Sequence, residues 1–97
     1  MTVKVTDVPV LIIHNGEPTL DRAFVPASLP VALMIGLRNY TRIDQSTAVE
    51  RITRACPAGW QGMIAEGDTL PLGSFRCGTL KSGPGEAPIP LYVSPIA

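Results

Sequence analysis

Ten prolines and nine glycines, spread along the whole chain, constrain this protein more than any other feature of its sequence. Proline fixes φ and removes a backbone donor, and glycine has no side chain to pack, so neither belongs inside a long helix or a central strand. The stretches between them are short. They predict an α+β fold: a small domain of mostly short antiparallel strands with one or two short helices. A length of 97 residues fits one compact domain over 1–97. Apolar residues at 45% against charged residues at 16% give the chain enough to bury, which separates it from disordered sequences.

Read from the amino end, Val3 and Val5 alternate with Lys4 and Thr6 before a nearly unbroken apolar run from Val8 to Ile13. That is the pattern of an edge strand leading into a buried one, with Pro9 marking an edge or bulge. Asn15-Gly16 then supplies the dipeptide best suited to a tight type I′ hairpin turn, with a return strand near Thr19 to Val25. From Ser28 to Asn39 the apolar run fits a helix, capped by Ser28, with Arg38 in its last turn and Asn39 beyond it. Its β-branched residues and the alternation of Arg38, Tyr40 and Arg42 fit a strand instead; helix is the preferred reading. Thr47 and Glu50 have capping-box spacing, so an amphipathic helix is expected to start there and to stop at Pro57 and Gly59. Short strands are expected at Met63 to Glu66, Thr69 to Leu72, Phe75 to Leu80 and Ile89 to Val93, arranged as a meander, with Lys81 to Pro88 as a loop.

Eight Lys and Arg balance eight Asp and Glu, so no global field gathers phosphate, and non-specific nucleic-acid binding is disfavoured. Near-zero charge also removes the self-repulsion that keeps copies apart, which favours a homo-oligomer. The first residues show no charged region followed by an apolar run, and the longest apolar stretch, Val31 to Leu37, is far below the roughly 20 residues of a membrane helix. The expectation is a cytoplasmic protein with no membrane association, in which Cys56 and Cys77 are reduced thiols.

The residues that carry catalysis elsewhere are sparse. Cys56 falls at a predicted helix carboxy end, where the dipole disfavours thiolate, and Cys77 falls in a strand that would turn it away from Arg76. His14 is the single histidine, beside a turn. No metal-ligand spacing, phosphate-binding loop or dinucleotide glycine pattern occurs, so no metal and no cofactor are expected. Glu66 and Asp68 flank a glycine and read as a turn rather than a paired-carboxylate site.

Four arginines against Asp44 and Glu50 make residues 38–54 locally basic. Arginine and aromatic side chains are the common anchors of protein interfaces. Arg38, Tyr40, Arg42, Arg51 and Arg54, with Trp60 in a loop after the helix, are therefore the candidate surface for a protein partner. The leading functional expectation is a small non-enzymatic binding or accessory protein. Chains of this size class include auxiliary and inhibitor proteins of phages and other mobile elements, an expectation that rests on size alone. The alternatives are a structural subunit of a larger symmetric assembly, such as a phage particle component, and a small enzyme using Cys77 with His14.

Overall fold

The computed structural model describes residues 1–15, 17–20 and 38–96, with the backbone alone for 11–14 and 17–20. The return strand beyond Leu20 and the apolar run from Ser28 to Leu37 fall outside the described residues. In chain order the elements are β1 (Thr2–Lys4), a single 3-10 turn (Val5–Asp7), β2 (Leu11–His14), β3 (Glu17–Leu20), β4 (Arg38–Thr41), α1 (Gln45–Ala55), β5 (Trp60–Met63), β6 (Thr69–Pro71), β7 (Phe75–Lys81) and β8 (Ile89–Pro95). This is a small α+β fold.

The main sheet has the order β4-β7-β8-β5, with β4 parallel to β7 and the other pairs antiparallel. The carboxy-terminal half is therefore not a meander. β6 leaves the sheet to pair with β1, and β4 takes the place beside β7. Two parallel strands at opposite edges need a long crossover, and α1 is that crossover between β4 and β5. Arg38 and Asn39, expected at the end of a helix, are strand residues paired with Gly78 and Thr79. Strand pairing favours the period-2 alternation of Arg38 and Tyr40 over the helix-ending signal of Asn39.

The cap of helix α1 lies three residues before the Thr47 expected from the capping box. Asp44 is its cap, accepting from the Thr47 backbone N–H at 2.7 Å, and Glu50 pairs instead with Arg54 one turn on. A carboxylate at a helix amino end both satisfies a free amide and complements the dipole, so Asp44 takes the role from Thr47. The other end falls where expected: Cys56 is already extended at φ −81° and ψ 149°, as the residue before a proline must be. The helix lies on β5 and β8 with Ala48 and Ile52 fully buried. It comes so close that a Cβ on Gly62 would sit 2.8 Å from both Ile52 Cβ and Val49 O. Thr53 clips the two elements together: its Oγ1 accepts from Gly62 N–H at 2.9 Å and donates to Val49 O at 2.8 Å.

Alternation puts Gly62 and its partner Val93 under the helix, and Met63 with its partner Tyr92 on the other side, toward β1 and β6. Both faces of β8 are covered, so Leu91, Tyr92, Val93 and Ser94 are buried in succession. Trp60 begins β5 rather than sitting in a loop, and Met63, expected to open this strand, closes it. The amino-terminal strand stops at Lys4, where the 3-10 turn intervenes and Val5 donates to Asp68 O at 2.7 Å. Pro9 accepts from Arg76 N–H at 2.9 Å, so the edge of β7 is shared between Pro9–Val10 and then β4. The β2–β3 hairpin has the expected two-residue turn, His14 opposite Glu17, and Asn15 carries the positive φ of +51° that such a turn demands. Glu66 and Asp68 form a turn around Gly67, as anticipated, and residues 82–88 are the loop between β7 and β8.

Candidate functional site

The six arginine and aromatic candidates meet different fates. Arg54 is exposed, but its guanidinium pairs with Glu50 on the same helix face. Arg51 is exposed on α1, with no ion pair among the described residues. Trp60 is half-buried on the helix-facing side of the sheet, its ring centroid 5.9 Å from that of the fully buried Phe75 at a tilt of 51°. Tyr40 packs at the margin of the same core. Arg38 lies on that face too, half-buried, and its Nε is buried with no hydrogen-bond partner among the described residues. No hydrogen bond, ion pair or ring contact among the described residues joins the three residues of the β4 region to Arg51, Arg54 or Trp60.

Arg42 differs from all of these. It follows β4 directly, stands exposed, and adopts φ +61°, a left-handed conformation uncommon outside glycine. Its backbone N–H donates to Lys81 O at 3.1 Å, so two cationic residues end their strands side by side. With Thr41, Gly83 and Pro84 they line a shallow cleft of about 160 Å³. Neither cation has an ion pair among the described residues. Asp44, the nearest acid in sequence, is engaged at the helix cap, and Glu86 stands in the turn from Gly83 to Glu86 without pairing to either. Lys81 escapes sequence reasoning because only the tertiary pairing of β4 with β7 brings it beside Arg42. Gly78 makes this pairing possible: a Cβ there would lie 1.8 Å from Arg38 O.

The groups with nucleophilic potential are poorly placed for it. Cys77 is fully buried, and burial first, with a smaller push from Cys56, raises its pKa to about 12 against weaker opposing effects from Arg38 and Arg76. Burial also raises the Cys56 thiol. Both are free thiols. Thiolate, the reactive form, is scarce at neutral pH in such surroundings. Ser74 and Ser94 form a buried hydroxyl pair at 2.7 Å; Ser74 Oγ also donates to Pro71 O at 2.6 Å, and the Ser94 hydroxyl contacts Met63 Sδ at 3.6 Å. None of these partners is a general base. Among the described residues no three His, Cys, Asp or Glu side chains gather as metal ligands, and no helix is long and apolar enough to cross a membrane.

The fold and this surface define a small α+β domain with a cationic corner where β4 and β7 end. Comparison with protein-family models, with curated proteins and with solved structures found no match.

Proposed function

We propose that this protein is a small non-enzymatic binding protein that recognises a partner protein through the cationic corner formed by Arg42 and Lys81. The observation that carries this reading is the pair of exposed cations beside a cleft, with no ion pair among the described residues, in a chain whose net charge is zero. Two arginines elsewhere have side-chain partners, Arg54 in Glu50 and Arg76 in Gly78 O and the Thr79 hydroxyl, while Arg51 stands alone on α1 among the described residues, away from any cleft lined by a second cation. Like charges held together without a counter-ion repel each other, and a partner carboxylate relieves that repulsion. The test is capture from the source lysate by immobilised wild-type protein and by the R42E/K81E double variant, with bound proteins identified by mass. A protein retained by the wild type and lost by the variant supports the reading; an identical captured set overturns it.

A specific observation also favours a second reading, assembly with further copies of the chain. Leu72 and Ile96 are large apolar residues that remain 54% and 53% exposed. The segments that carry them meet, since a Cβ on Gly73 would be only 3.4 Å from Pro95 Cγ. Beside Leu72 is an open, mainly apolar cleft of about 140 Å³ lined by Val3, Val8, Pro9 and Leu72 itself, with Asp7 at its margin. An exposed knob next to a hole is the self-complementary arrangement that a two-fold contact requires. Light scattering that shows a larger species for wild type and a monomer for L72E supports assembly, and a wild-type monomer at high concentration removes it.

A further inference from the structure

We propose that the outer edge of β4 takes an extended, acidic segment of a partner protein as an added strand, with its carboxylates reaching Arg42 and Lys81. This rests on the cationic-corner reading above and adds the conformation and chemistry of the partner. The argument starts from backbone hydrogen bonds. Arg42 donates its N–H to Lys81 O, and Tyr40 stands opposite Leu80 in a parallel ladder. In such a ladder alternate residues turn both main-chain groups toward the same neighbour. Tyr40 and Arg42 therefore face β7, and Asn39 and Thr41 turn their N–H and C=O groups outward. Both are exposed, and none of the described residues bonds to them. An unpaired strand edge is a template for another chain, and recognition by strand addition draws its affinity from these groups and its selectivity from the flanking side chains.

Charge decides which chain it is. A second copy of β4 would bring Arg38 and Arg42 against their own counterparts, and like charges across a strand pair are unfavourable. A neutral segment would leave Arg42 and Lys81 as they are. An acidic segment neutralises both while completing the ladder, and the cleft between Thr41, Arg42, Lys81, Gly83 and Pro84 is open to one of its side chains just past the end of β4. A nucleic acid also brings negative charge, but it has no amide ladder to offer Asn39 and Thr41.

The experiment uses the full chain and a fluorescent peptide of alternating valine and glutamate, with anisotropy as the readout. Binding is expected, and replacing glutamate by glutamine, methylating alternate peptide amides, or introducing R42E/K81E is each expected to weaken it by about tenfold or more, the scale of one or two lost charge-assisted or ladder bonds. Amide hydrogen exchange should slow at Asn39 and Thr41 when the peptide is bound. Tight binding that is indifferent to amide methylation and leaves these two amides unprotected overturns strand addition but leaves the cationic corner intact. So does failure of the peptide to bind while lysate capture still depends on Arg42 and Lys81. A single-stranded oligonucleotide that binds more tightly than the peptide overturns the choice of partner, and loss of charge dependence in both assays overturns the two proposals together.

Discussion

Arg42 holds a conformation that its side chain disfavours, and the left-handed region costs a residue with a Cβ about 1 kcal/mol more than it costs glycine. Arg42→Gly should therefore raise the urea midpoint by an amount equivalent to about 1 kcal/mol with no change in slope, and at the same time weaken binding of the acidic peptide. A gain in stability with undiminished binding would show that the guanidinium has no part in recognition. Cys77 makes a second residue-scale prediction. Its thiol has a pKa of about 12 in the folded protein against 9.0 for the free group, so below pH 9 both states hold the proton and the thiol contributes no pH dependence. Above pH 9 the unfolded chain loses its proton first, and stability should fall by about 1.4 kcal/mol per pH unit as the pH approaches 12. Cys77→Ala should flatten this alkaline limb in denaturant titrations, at the expense of a small cavity.

At the scale of elements, the helix cap and its seat on β5 are separately testable. Hydrogen bonds from the Thr47 side chain first, and from its backbone N–H second, lower the Asp44 pKa below 3.8, so the contribution of the cap is present above that pH and is lost as the pH falls through the lowered value. Asp44→Ala should lower the melting temperature near neutrality and remove part of the acid sensitivity, whereas Asp44→Asn, which caps about as well, should keep the neutral-pH stability. Gly62→Ala drives a methyl into Ile52 and Val49 O and should cost about 1–3 kcal/mol, read as a lower denaturant midpoint. These elements also show what the sequence makes visible. The hairpin turn at Asn15 and the helix stop before Pro57 were legible because a local backbone preference decides each of them. The cap at Asp44 was hidden by Thr47 and Glu50, three residues further on, which fit the same motif. β4 was misread because its strand character depends on β7, and that partner is set by a close approach at Gly78 that no local pattern announces. The candidate site divides in the same way: Arg42 was legible as an arginine in a basic stretch, but Lys81 and the open edge at Asn39 and Thr41 exist only through the parallel pairing. Trp60 looked like a loop anchor because glycines surround it, yet its ring is held against Phe75.

For the whole molecule, the deciding quantity is the separation of its two adhesive regions. β7 runs from Phe75 to Lys81, seven residues or about 20 Å at the rise of an extended strand. The cationic corner lies at the carboxy end of β7, and the apolar turn containing Leu72 lies just before its amino end, close to Pro95 and Ile96. At physiological salt, charges this far apart are screened across more than two Debye lengths, each about 8 Å. The two regions should therefore act independently. Leu72→Glu should reduce self-association while leaving the peptide affinity within about twofold, and R42E/K81E should weaken peptide binding by about tenfold or more without changing the mass seen in light scattering. If either variant moves both readouts, the two surfaces are coupled, and the arrangement along β7 would have to be a single composite interface in which a neighbouring copy brings its apolar end against the cationic corner.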